Sequence, residues 1–170
     1  LLSVLLGYVI ALFLKPKNKT NLKLLLAFSG SFLLSITVMH LLPEVYEEHN
    51  HQIGIFIMLG ILFQIILEFF SKGAEHGHVH GHSKMHQIPW LLFISLCIHA
   101  LLEGFPVGHN HDLALGIAVH HLPIAVILTT FFINAELDKK AIFFFMIVFA
   151  VMTPLGTIVS EYVPVLNDYY

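Results

Sequence analysis

Apolar residues run along this chain in six stretches, Leu1–Leu14, Leu24–Leu42, Ile53–Phe70, Ile88–Val107, Leu113–Ile133 and Ala141–Ser160, separated by short polar segments. A helix needs about 20 mostly apolar residues to cross the hydrocarbon of a bilayer, and five of the six have roughly that length. The expected fold is all-α: a polytopic membrane helix bundle of six helices, one transmembrane domain over residues 1–170 with a polar connection at 71–87. The first stretch is short and opens on Leu1, which reads as the interior of a helix that begins upstream. A signal peptide is the alternative for that stretch, but it lacks a basic leader and an A-x-A-like cleavage site.

The charges orient the helices. All eight basic residues are lysines, Lys15, Lys17, Lys19, Lys23, Lys72, Lys84, Lys139 and Lys140, and they fall in the first, third and fifth connections. The other connections and the tail hold Glu44, Glu47, Glu48, Asp112, Glu161 and Asp168 instead. Lysine-bearing loops stay cytoplasmic, so the start and end of the chain are expected outside, in a cell (inner) membrane. Composition agrees: 57% of residues are hydrophobic and 11% charged, against about 25% charged in soluble domains, and the mean hydropathy is +0.83. The net charge of −3 reflects this topology more than any partner. No basic, aromatic-interleaved surface points to nucleic acid. The single Cys97 builds neither a disulfide framework nor a thiolate metal site, and no phosphate-binding glycine loop marks a nucleotide motor.

Against this background the ionisable residues inside the spans carry the chemistry. A charged group at the centre of a membrane helix costs about 2.5–3.5 kcal/mol on insertion scales and is functional by default. His99 and Glu103 lie four apart in the fourth helix, hence on one face. His120 and His121 follow in the fifth, about 100° apart around its axis, with Pro123 expected to supply the local distortion that lets both aim at one point. The short connection at Gly108–Asp112 makes the two helices antiparallel and brings these groups to matched depth. Neutral nitrogens and one carboxylate suit a divalent transition metal. Cys97 is expected to be a small packing residue, and Gly104 and Gly108 to leave room for a neighbouring backbone.

Two further groups flank that site. The second helix is expected to end at His40-Leu41-Leu42-Pro43-Glu44, whose imidazole and carboxylate form a candidate entrance among Glu47, Glu48, His49, His51, His109, His111 and Asp112 on the outer side. In the third helix Gln64 and Glu68 share a face, and Glu68 is a candidate for an exit path. The cytoplasmic connection from Glu75 to His86 carries His76, His78, His80, His82 and His86 among glycines and small residues, a composition that binds metals loosely.

These motifs resemble the ZIP (Zrt/Irt-like) family of divalent metal transporters along essentially the whole chain. Ala27-Phe28-Ser29-Gly30 through His40-Leu41-Leu42-Pro43-Glu44 is similar to the family's second helix, and the histidine-rich connection follows the third. His99 and Glu103-Gly104 match H-N-x-x-[DE]-G in the fourth helix, His120 and Pro123 match H-E-x-P-[HE] in the fifth, and Thr153-Pro154-Leu155-Gly156 resembles the sixth. The resemblance implies an eight-helix fold, of which this chain would be a fragment. The departures are Ala100 for the usual Asn, His121 for an acidic residue, Ile124 for His or Glu, and Thr153 for a position often acidic. Those positions help build a second metal position in the family, so their loss implies a single-metal site centred on His99, Glu103 and His120, with His121 as the fourth candidate ligand.

The expected function is therefore a carrier, not an enzyme, that takes Zn²⁺, or Fe²⁺ or Mn²⁺, from outside into the cytoplasm with no catalytic cofactor. Its partners are the ion and the bilayer, with a homodimer as candidate assembly. Gly104, Pro106 and Pro123 are candidate points of helix rearrangement. An intramembrane zinc hydrolase is the rival from another class, but it needs a base beside the metal, and Glu103 is the one carboxylate at that depth in the fourth and fifth helices. A non-transporting metal sensor is the third reading.

Overall fold

A backbone that crosses hydrocarbon has to satisfy its own hydrogen bonds, and helices do so within one segment. The structure, a computed structural model, describes residues 1–14, 19–47, 52–71, 88–108 and 111–162. Six helices and no strand occur among the described residues. They are α1 (Leu2–Leu14), α2 (Thr20–Glu47), α3 (Ile53–Ser71), α4 (Trp90–Gly108, its last turn a 3₁₀ turn), α5 (His111–Asn134) and α6 (Lys139–Glu161). All but α1 are long and apolar enough to cross a membrane. The histidine-rich connection with His76, His78, His80, His82 and His86 lies outside the described residues, as do Glu48, His49, His51 and His109.

One helix departs from the sequence expectation at a proline. Pro43 does not end α2; the helix continues to Glu47 through a π turn at Thr37–Leu41. Proline lacks an N–H and its ring crowds the carbonyl four residues back. The widened turn takes up that misfit, with the Leu42 N–H bonded to the Thr37 carbonyl, five residues back. In α5 the helix runs unbroken from His111 to Asn134 with Pro123 inside it. The turn from α5 to α6 closes tightly: Leu137 N–H bonds back to Phe132 O at 3.1 Å, Glu136 takes a left-handed φ of 57°, and Asp138 accepts from the Lys140 N–H at the start of α6.

α5 is the central helix, with 56% of its span buried against 11% for α3. α1 packs on it through Val4, Gly7 and Ala11, and α2 through Leu33 and Ile36 against Leu113, Gly116 and Ile117. α3 leans on α4, where Ser95 Oγ donates to the Leu67 carbonyl at 2.5 Å. The main core joins α4, α5 and α6 around Leu96, Leu128, Phe132, Phe145, Met146 and Phe149. Phe145 sits edge-on to Phe93 and Phe132, with ring centroids 4.9 and 4.7 Å apart, a favoured aromatic arrangement.

At the other end of the bundle α4 and α6 meet backbone to backbone. A Cβ on Gly104 would overlap the Thr153 carbonyl oxygen, and one on Gly156 the Leu101 carbonyl oxygen. Thr157 Oγ1 donates to Gly104 O across the same crossing at 2.8 Å. Small residues permit this approach between membrane helices. Gly104→Ala and Gly156→Ala should each cost about 1–3 kcal/mol through forced separation. Gly60→Ala, whose Cβ meets open space, should be neutral or stabilising by up to about 1 kcal/mol. Thermal unfolding in detergent checks both; equal effects at the three glycines would contradict the crossing.

Candidate metal site

His99 sits one turn before the end of the α-helical part of α4 and Glu103 closes that turn, so the i, i+4 spacing brings them together: His99 Nε2 lies 3.3 Å from Glu103 Oε1. From α5, His121 Nε2 donates to the other carboxylate oxygen, Oε2, at 2.7 Å. The carboxylate is thus held between two imidazoles from two helices, with His121 only 2% exposed and His99 and Glu103 15% exposed. His121 also lies against Phe149, ring centroids 5.5 Å apart, at the top of the aromatic core. On the far side of His99, Nδ1 lies 2.9 Å from Gln64 Oε1 of α3. The charge-assisted bond at 2.7 Å is the strong one in this set.

The remaining sequence candidates fall in different places. His120 is half-buried beside the triad, its ring centroid 6.3 Å from that of His121. His40 and Glu44 are exposed on α2, His40 within the π turn. Cys97 packs against the core, and Gly104 accommodates the α6 backbone as described. Ala100 and Ile124 are buried in the apolar core. Among the described residues, no group of three or more His, Cys, Asp or Glu side chains has the geometry to hold a metal ion as it stands. The three donors are instead drawn onto one another, and an ion bound here has to part the His121–Glu103 hydrogen bond.

A cleft of about 420 Å³ reaches the triad from one end of the bundle. Among its lining residues Leu1 and Ile158 are exposed at its mouth and His121 and Thr153 are buried at its depth, with Val107, Ala114 and Thr157 also lining it. The chain ends of these helices on the mouth side are the ones opposite the lysine-bearing connections. Thr153 Oγ1 is buried with no hydrogen-bond partner among the described residues. His40 and Glu44 are not among the residues that line the cleft. The threonine hydroxyls and the Gln64 contact escape sequence reasoning. The available signal for Gln64 was a lone amide in mid-span of an otherwise apolar helix, at the depth of His99.

Truncating Glu103 leaves a buried His121 N–H without its acceptor, which should cost about 1–3 kcal/mol. Glu103→Ala in a His121→Ala background should cost markedly less. A double-mutant cycle by thermal unfolding in detergent reads the coupling; strictly additive losses would mean that the two side chains do not interact.

No family model matches the chain, and no solved structure matches it. It is similar to zinc transporter SLC39A7 of Rattus norvegicus, 27% identical over 87 residues, which cover 40% of this chain and 19% of that protein. The SLC39A7 protein of Mus musculus is likewise 27% identical over 86 residues, covering 39% of this chain and 18% of the relative. Zinc transporter ZIP1 of Danio rerio is 20% identical over 193 residues, covering 82% of this chain and 64% of that protein. The chain thus spans under a fifth of the length of the SLC39A7 proteins and just under two thirds of ZIP1. Five helices of membrane-crossing length and likeness to zinc transporters make it an integral membrane protein.

Proposed function

We propose that this chain is part of a divalent-metal carrier of the ZIP family, which takes Zn²⁺, or Fe²⁺ or Mn²⁺, from outside the cell into the cytoplasm. The observation that carries this reading is Glu103, held at 3.3 and 2.7 Å between imidazoles of α4 and α5 inside an apolar bundle. Two nitrogens and a carboxylate are a donor set for a divalent transition metal, and ionisable groups persist at this depth when they handle an ion. The zinc transporters to which the chain is similar support the same cargo.

In this reading the ion descends the cleft past Thr157 and Thr153, whose hydroxyls replace part of its hydration, and reaches His121. It parts the His121–Glu103 hydrogen bond, His121 gives up its Nε2 proton to water in the cleft, and the ion takes Glu103, His99 and His121 as ligands, with His120 as the further candidate. His40 and Glu44 gather cations at the outer surface through their exposed position on α2. Phe145, Phe149 and Phe132 close the opposite side, so release toward the cytoplasmic histidines of the 71–87 connection requires this packing to open. Rearrangement at Gly104, Pro106 and Pro123 would move α4 and α5 relative to it. The site takes one ion, because Ala100 and Ile124 pack in the core instead of offering donors.

Uptake of radioactive Zn²⁺ into proteoliposomes by the full-length protein tests the reading. His99→Ala and Glu103→Ala should each lower uptake by about tenfold or more. Uptake unchanged in both variants would overturn the site, and specific binding without uptake would overturn transport.

A further inference from the structure

α3 is the most lipid-exposed of the spanning helices, yet it places the amide of Gln64 in mid-span, where an unpaired polar group is costly. The amide does not face lipid: Gln64 is half-buried, and its Oε1 lies 2.9 Å from His99 Nδ1. One helical turn further along, Ser95 Oγ donates to the Leu67 carbonyl, so a second bond fixes the register between α3 and α4. A carbonyl oxygen accepts only, so this bond requires the proton of His99 on Nδ1. The other ring nitrogen, Nε2, then turns a lone pair toward Glu103 Oε1, 3.3 Å away. Two acceptors facing each other at that distance are reconciled by a cation between them, whereas the opposite tautomer would fill the gap with its own proton.

We infer that Gln64 is a positioning residue: through the His99 Nδ1–H bond it selects the tautomer that presents Nε2 to Glu103 and to a bound ion. This rests on the metal-site reading above, and it adds a third helix to the site. Outer partners of this kind fix ring orientation and ligand basicity, and losing one costs about 10–100-fold in metal affinity. The assignment gives the amide in the middle of α3 a role.

The test uses the full-length protein in detergent micelles with ¹⁵N-labelled histidine, His99 being assigned by the signals lost in His99→Gln. Long-range ¹H–¹⁵N correlations in metal-free protein should find the His99 proton on Nδ1. Gln64→Leu, similar in size and at home in lipid, should release it to Nε2 and weaken Zn²⁺ binding by about 10–100-fold. Gln64→Glu, which keeps an acceptor, should restore the Nδ1 proton. A wild-type His99 proton on Nε2, or an unchanged tautomer and Zn²⁺ affinity in Gln64→Leu, would overturn the assignment. Absence of Zn²⁺ binding in the wild type would instead overturn the metal-site reading, and the tautomer of the metal-free protein would still decide the role of Gln64.

Discussion

The structure depends on a carboxylate kept between two imidazoles in an apolar bundle. Glu103 is held there by His121, which donates to it across from α5, while His99, one turn away on its own helix, lies 3.3 Å from its other oxygen. Remove His121 and the cost of an ionisable group at that depth is no longer offset. The contacts that fix these three side chains are therefore the ones that fix how α4 sits on α5.

Much of the rest follows from holding α4 in place. On one flank the crossing at Gly104 and Gly156 lets α6 approach to backbone contact, and Thr157 ties the two helices with a hydrogen bond. On the other flank Ser95 and Gln64 tie α4 to α3. Beneath His121 the phenylalanines of α4, α5 and α6 interlock; above it a cleft remains. The bundle is accordingly closed on one side of the triad and accessible on the other.

Helix number and class were legible because long apolar stretches leave a chain few alternatives in hydrocarbon. The pairing of His99 with Glu103 was legible too, since four residues make one helical face. The choice between His120 and His121 was not: adjacent positions differ by about 100° of rotation, and only the packing of α5 against α4 turns His121 toward Glu103. Proline misled at the end of α2: at Pro43 a π turn absorbs the misfit and the helix continues. Gln64 reads only as sharing a face with Glu68 until α3 is placed, because its contact with His99 spans 35 positions.

The central claim, that His99, Glu103 and His121 take one divalent ion, is tested most directly by X-ray absorption at the zinc edge. The sample is full-length protein loaded with one equivalent of Zn²⁺, with His76, His78, His80, His82 and His86 replaced by Gln so that the 71–87 connection does not compete. The account predicts a first shell of nitrogen and oxygen at about 2.0–2.2 Å, with imidazole scattering from at least two histidines. A sulfur shell at about 2.3 Å, a shell of water oxygens alone, or failure to retain zinc would contradict it.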